Sequence, residues 1–199
     1  VYVADSGMFN NDNLKELEML EEYNFNYIVG ARIKNMQKNI KEQILNKNNY
    51  KELNSEISIA NITLDNGRKL VVTYSLKRAR KDKADREKAI KKLKDKLEKN
   101  ISVKSQLSNQ GYKKYLQLKS NNEESTCDLS IALNEDKIYE DSLWDGLKGL
   151  IVNKNSTLSN DEILTQYNNL WQVEESFRIT KHDLKIRPVY HWKPSQIGR

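Results

Sequence analysis

Two carboxylates stand out by where they fall. Asp5 ends the apolar run Val1-Tyr2-Val3-Ala4 and is followed at once by Ser6-Gly7. A carboxylate at the C-terminal end of a short apolar strand sits where α/β sheets expose their ligands. Glu174 lies in a segment, Asn160 to Lys181, whose apolar residues recur at helical spacing. At 100° per residue, Ile163, Leu170, Val173, Phe177 and Leu184 fall on one stripe. Glu174 then lies about 40° and Lys181 about 20° from Leu170. An acid and a base therefore fall on or beside the face expected to meet the core. Burying an unpaired carboxylate is costly. Either Glu174 and Lys181 shield each other, or their charged heads reach past the edge of the stripe, or Glu174 points into a site where a cation compensates it. Arg178, one turn on, would flank that site. Glu175, at about 140°, faces away, so Glu174 is the candidate.

Together, Asp5 and Glu174 describe half of a divalent-metal site. Mg²⁺ or Mn²⁺ takes hard oxygen ligands and keeps several waters, so two or three carboxylates suffice. Such sites serve phosphoryl chemistry, in which one ion activates the attacking oxygen and another stabilises the leaving oxygen. Other chemistries find little support. One cysteine, Cys127, excludes a disulfide framework and a multi-cysteine zinc site. Neither His182 nor His191 has a Ser or Cys placed beside it with a supporting acid. Asp145 is expected to cap its Asp-Gly turn rather than to bind metal. Trp144 and Trp171 are expected in packing. The run Arg187-Pro188-Val189-Tyr190-His191-Trp192 suits either stacking on unpaired bases or packing of an extended tail on the core.

The charge is unevenly placed. The chain of 199 residues carries a net +6. Residues 77–99 alone hold twelve basic and five acidic side chains, so the remainder is nearly neutral. A basic surplus on one element is the footprint expected for a phosphate backbone, with Lys91 and Lys92 at its centre, though a solvated helix laced with ion pairs has the same composition. No stretch approaches the roughly 20 apolar residues that span a membrane.

The elements that must position these groups can be read from periodicity. Val1 to Ala4 forms a strand, residues 13–23 a helix and Phe25 to Ala31 a second strand, which together suggest a crossover in an α/β sheet. A short polar helix over 35–47 precedes a hairpin of Glu56–Leu64 and Arg68–Ser75 around Asp65-Asn66-Gly67. The basic helix spans about 79–99. Two β-prone runs, Tyr112–Leu118 and Asp128–Asn134, flank a polar turn. Lys148–Val152 is a buried strand, and one helix runs from Asn160 to Lys181, capped by Ser159 with Glu162.

A family resemblance follows from one dense motif. The segment Tyr167-Asn-Asn-Leu170-Trp171-Gln-Val-Glu174-Glu-Ser-Phe-Arg178-Ile-Thr-Lys181 resembles the Tyr-x2-Arg-x3-Glu-x6-Lys signature of Asp-Asp-Glu transposases of bacterial insertion sequences. Tyr167, Glu174 and Lys181 match. Leu170 replaces the Arg, a departure that bears on whichever DNA or carboxylate contact that Arg makes elsewhere. The surrounding sequence is similar to the branch that reads Leu-Trp there. Val3-Ala4-Asp5-Ser6-Gly7-Met8 is similar to the stretch around that family's second catalytic Asp, and Asp145 to Asn155 resembles the strand before the Glu helix.

The resemblance implies an α/β fold with a ribonuclease-H-like core and a β-rich plus helical insertion. Residues 1–34 would be the first part of the core, 35–143 the insertion and 144–199 the second part. It implies Mg²⁺ (or Mn²⁺) held by Asp5, Glu174 and an upstream Asp on a strand outside this chain. Water would cleave the phosphodiester at the element end, and the freed 3′-hydroxyl would attack target DNA. Tyr167, Arg178 and Lys181 would contact double-stranded DNA near the cleaved bond, in a homodimeric complex on the bacterial nucleoid in the cytoplasm. As an internal piece, the chain is expected not to cut DNA unaided. The rival expectations are a non-catalytic nucleic-acid-binding remnant and another ribonuclease-H-like nuclease.

Overall fold

The computed structural model describes residues 1–8, 11–19, 25–98, 111–120 and 129–182. Leu20, Cys127, Leu184, Pro188, His191 and the whole run 187–192 lie outside the described residues. In chain order the strands and α-helices are β1 (Tyr2–Ala4), α1 (Asn11–Met19), β2 (Tyr27–Ala31), α2 (Lys38–Leu45), β3 (Lys51–Glu52), β4 (Ile57–Thr63), β5 (Lys69–Ser75) and α3 (Leu76–Glu98). They continue with β6 (Leu116–Ser120), β7 (Leu129–Leu133), α4 (Glu135–Ser142), β8 (Leu147–Val152), α5 (Asn160–Asn168) and α6 (Leu170–His182). The architecture is mixed α/β, in two compact units: Val1–Gly30 with Ile151–Arg199, and Ala31–Leu150.

The first unit contains the strand–helix–strand start expected from the sequence. β1 and β2 pair in parallel, with Tyr2 opposite Tyr27, Val3 opposite Ile28 and Ala4 opposite Val29. Parallel neighbours need a crossover, and α1 supplies it, with Leu14 buried. The strand order continues from β2 to β8. Residues 27–30 and 149–152 are all buried, which is why these strands read as continuous apolar runs rather than as alternation. The buried Asn153 side chain accepts the Tyr27 backbone N–H at 3.3 Å.

α5 begins at the capping box anticipated from the sequence. The Ser159 hydroxyl accepts the Glu162 N–H, and the Glu162 carboxylate accepts the Ser159 N–H. The helix does not run through to Lys181, however. It ends at Asn169, whose N–H reaches the carbonyls of Thr165 and Tyr167, and α6 restarts at Leu170 with a tight Gln172 N–H to Asn169 carbonyl bond. Asn168-Asn169 explains the break, because Asn side chains compete for backbone groups inside helices. The apolar stripe consequently does not continue as one buried face. Ile163 is buried and Leu170 half-buried, but Val173 is 50% exposed. Trp171, expected in packing, is 61% exposed.

In the second unit, β4 and β5 form the expected hairpin, in register from Ile57–Ser75 to Thr63–Lys69. Gly67 takes the left-handed conformation of its turn (φ 81°). β3 adds to one side of β4, and β8 lies beside β5, where the Ser75 N–H meets the Gly146 carbonyl at 3.0 Å. α2 buries Ile40 and Ile44. α3 follows β5 directly and packs Leu93 against Tyr115 and Leu116, with Ile90 and Leu97 alongside. Tyr115 ends the 3-10 turn Gly111–Tyr115 that leads into β6, and β6 pairs antiparallel with β7. α4 is absent from the elements read off the sequence. It has no fully buried residue, so its periodicity is weak; its signal is the Asn134 cap ahead of Glu135 and Asp136.

Candidate active site

Asp5 is the first residue beyond β1, at the strand's C-terminal end, as its sequence position implied. Its side chain is exposed, and Oδ1 accepts the Ser6 N–H. The chain turns immediately through a 3-10 turn, Ser6–Met8. Gly7 leaves the flank of Asp5 open, its Cβ position lying 3.8 Å from Oδ2.

Tyr167 reaches this strand end from α5. Its hydroxyl and the Ser6 nitrogen each lie 2.8 Å from the point a Cβ on Gly30 would occupy. Gly30 stands near the end of β2 and is buried. A side chain there would collide with both groups, so the missing Cβ is what lets Tyr167 approach the residue following Asp5. α5 itself packs on β1 and on α6.

The other expected site residues are placed with differing completeness. Glu174 and Lys181 belong to α6, in the same compact unit as Asp5 and Tyr167; their side chains lie outside the described atoms. Arg178 is exposed and engaged with its own helix. Its Nε donates to Glu175 Oε2 at 2.9 Å and a second guanidinium nitrogen to Oε1. These bonds hold the Glu175 carboxyl below its ordinary range and raise Arg178. Lys91 and Lys92 are exposed on α3.

Among the described residues, no three His, Cys, Asp or Glu side chains are gathered as a metal site. The donor chemistry of Asp5 nonetheless fits Mg²⁺ or Mn²⁺. It is a solvent-facing hard-oxygen ligand with an open flank, and such ions keep much of their water shell.

Two carboxylates in the second unit are committed elsewhere. Asp145 neither caps its turn nor faces a metal position: both its oxygens take the Arg86 guanidinium, one at 2.7 Å. The turn is held instead by Asp82, whose Oδ2 accepts the Gly146 N–H at 3.0 Å. Asp141, which the sequence reading did not single out, gathers Lys114, the Tyr115 hydroxyl (2.7 Å) and Lys34 (3.1 Å). Burial opposes its charge, but those three hydrogen bonds outweigh burial and hold the carboxyl at about 2. No local motif signals this cluster, because its partners are distant in sequence.

The family model for the transposase DDE domain matches residues 1–195. The chain belongs to the transposase DDE domain family. The match takes in β1 with Asp5, all of α3, and the α5–α6 segment. Comparison with curated proteins and with solved structures found no match. A transposase acts on DNA, so the exposed carboxylate at the β1 end and the basic surface of α3 belong to a protein with a polyanionic substrate. No helix among the described residues is long and apolar enough to cross a membrane.

Proposed function

We propose that this chain is the part of a DNA transposase catalytic core that carries two of three metal-binding carboxylates, Asp5 and Glu174. The intact protein then performs Mg²⁺- or Mn²⁺-dependent phosphodiester hydrolysis and strand transfer at element ends. The carrying observation is that the hydroxyl of Tyr167, the first residue of the signature, and the backbone of the residue following Asp5 converge on the same point beside Gly30, in a chain matched by the DDE family almost end to end. When bound, the metal supplies charge neutralisation for the attacking and leaving oxygens. Asp5 presents an oxygen ligand from the strand end, and Glu174 presents a second from α6. Tyr167, Lys181 and Arg178 orient the DNA end by its phosphates, and Lys91 and Lys92 add contacts from α3.

The core is ribonuclease-H-like, formed by residues 1–34 and 144–199, with 35–143 as its β-rich and helical insertion. The discontinuous compact unit supports this division. β1 stands at the end of the strand order, with β2 as its one neighbour among the described residues. A further strand paired on its other edge would deliver the third carboxylate. The protein acts as a homodimer on double-stranded DNA, in the cytoplasm at the nucleoid.

The test is strand cleavage of element-end duplexes with Mg²⁺ or Mn²⁺. These 199 residues alone are expected to leave the duplex intact. A form extended by the upstream strand is expected to cut, and to lose cutting on Asp5→Asn or Glu174→Gln. Cleavage by the 199 residues, abolished by Asp5→Ala, would place the third ligand inside this chain. An extended form that binds DNA but never cuts would favour a non-catalytic binding remnant.

A further inference from the structure

The ion pairs of α3 among the described residues lie in its first half. In the first half, Arg78 pairs with Asp82, Lys83 with Glu87 and Arg86 with Asp145. In the second half, Lys88, Lys92 and Lys96 are exposed and make no ion pair among the described residues. These three recur every fourth residue, so they form one row with steps of about 6 Å along the axis. The row walls a groove of about 390 Å³, with Lys113 of the 3-10 turn on its other side, Ala89 and Leu93 as its floor and Asp85 at its head. Leu93 is part of the buried cluster with Tyr115 and Leu116, so the floor is anchored in the core of this unit. Four lysines thus face one carboxylate across a fixed surface. The repulsion among Lys88, Lys92 and Lys96 is relieved by a partner carrying a regular line of negative charge. Phosphates of one DNA strand follow at about 3.4 Å of axial rise, so a row of about 12 Å spans three or four of them. The described lining is lysine, one carboxylate and two aliphatic side chains, a set that meets phosphates rather than bases.

We propose that the groove of Lys88, Lys92, Lys96 and Lys113 is a sequence-independent docking track for the phosphate backbone of duplex DNA. The inference rests on the reading of DNA as the substrate and adds where, and through which face of α3, it is held. Lys83 and Lys94 are exposed but lie about 180° and 160° around the helix from Lys92 and therefore off the track.

That asymmetry supplies the test. The 199-residue protein is titrated against a fluorescent duplex of about 20 base pairs between 50 and 200 mM salt, comparing Lys92→Gln/Lys96→Gln with Lys83→Gln/Lys94→Gln. Each pair removes two charges and keeps a good helix former, and circular dichroism confirms the fold. The groove pair is expected to weaken binding about tenfold and to reduce the salt slope by about two, equally for unrelated sequences. The off-groove pair is expected to change affinity less than about twofold and to leave the slope unaltered. Equal losses from both pairs would show that only net charge acts and would overturn the track; so would no loss from either. Because the readout is binding, a failure of the cleavage reading leaves this result standing, and the reverse also holds.

Discussion

The Tyr167 hydroxyl lies 2.8 Å from where a Cβ on Gly30 would stand, and the Ser6 nitrogen lies at the same distance from that point. Gly30→Ala would therefore force both the Tyr167 side chain and the turn after Asp5 to move. Overpacking of this kind costs about 1–3 kcal/mol, and urea unfolding is expected to show a loss in that range. Adding Tyr167→Phe removes one of the two collisions and is expected to recover part of the loss, since the Ser6 backbone stays in place. A Gly30→Ala protein as stable as the parent would mean that the approach is loose.

The Asp141 cluster gives the second unit an acid-sensitive tie. The folded carboxyl sits at about 2 against an ordinary 3.8. A depressed carboxyl stabilises the fold above its unfolded value, and the contribution is lost as the pH falls from about 4 toward 2. The shift corresponds to about 2 kcal/mol. Asp141→Asn is expected to cost about that much at pH 6, with the gap to the parent closing toward pH 2. A gap that stays constant across that range would show that charge at Asp141 contributes nothing.

What the sequence made legible follows from which signals are local. The β1–α1–β2 start, the Asp65-Asn66-Gly67 hairpin, the Ser159 cap and the basic helix all rest on neighbouring residues, and all are present in the structure. α4 was not legible, because Ile138 is its one apolar residue packed on the core cluster. The break at Asn169 was not legible either, because helical phase carries through two residues whose side chains compete for the backbone. At the site, the placement of Asp5 at a strand end was readable from Ala4-Asp5-Ser6-Gly7. The approach of Tyr167 to that strand end was not, since it depends on Gly30, far away in sequence and silent until the strands are paired. The role of Asp145 is silent for the same reason: its partner Arg86 is on another element.

That Arg86–Asp145 pair ties α3 to the turn before β8, with side chains only 11% and 17% exposed. Removing one partner leaves the other charge poorly solvated. Asp145→Asn and Arg86→Met are each expected to cost about 2–3 kcal/mol, the range for hydrogen bonds to charged groups. The double variant is expected to cost clearly less than the sum, because neither charge is then orphaned. Strict additivity in urea unfolding would mean that the two side chains act independently.

Arg178 is one cation of the proposed site, and its own helix partly occupies it. The guanidinium donates two hydrogen bonds to Glu175 in an exposed pair, and Glu175 is held below its ordinary range by the same contact. For Arg178 to grip a DNA phosphate, that pair must open or share. Glu175→Gln removes the competing charge and is expected to tighten duplex binding about two- to fivefold at low salt, in keeping with the small worth of exposed pairs. Arg178→Gln is expected to weaken it by a similar factor. The gain from Glu175→Gln should vanish once Arg178 is already Gln, a comparison that anisotropy titrations of the two single variants and the double variant supply. If Glu175→Gln tightens binding equally in the absence of Arg178, the effect is general charge removal, and Arg178 does not meet the DNA.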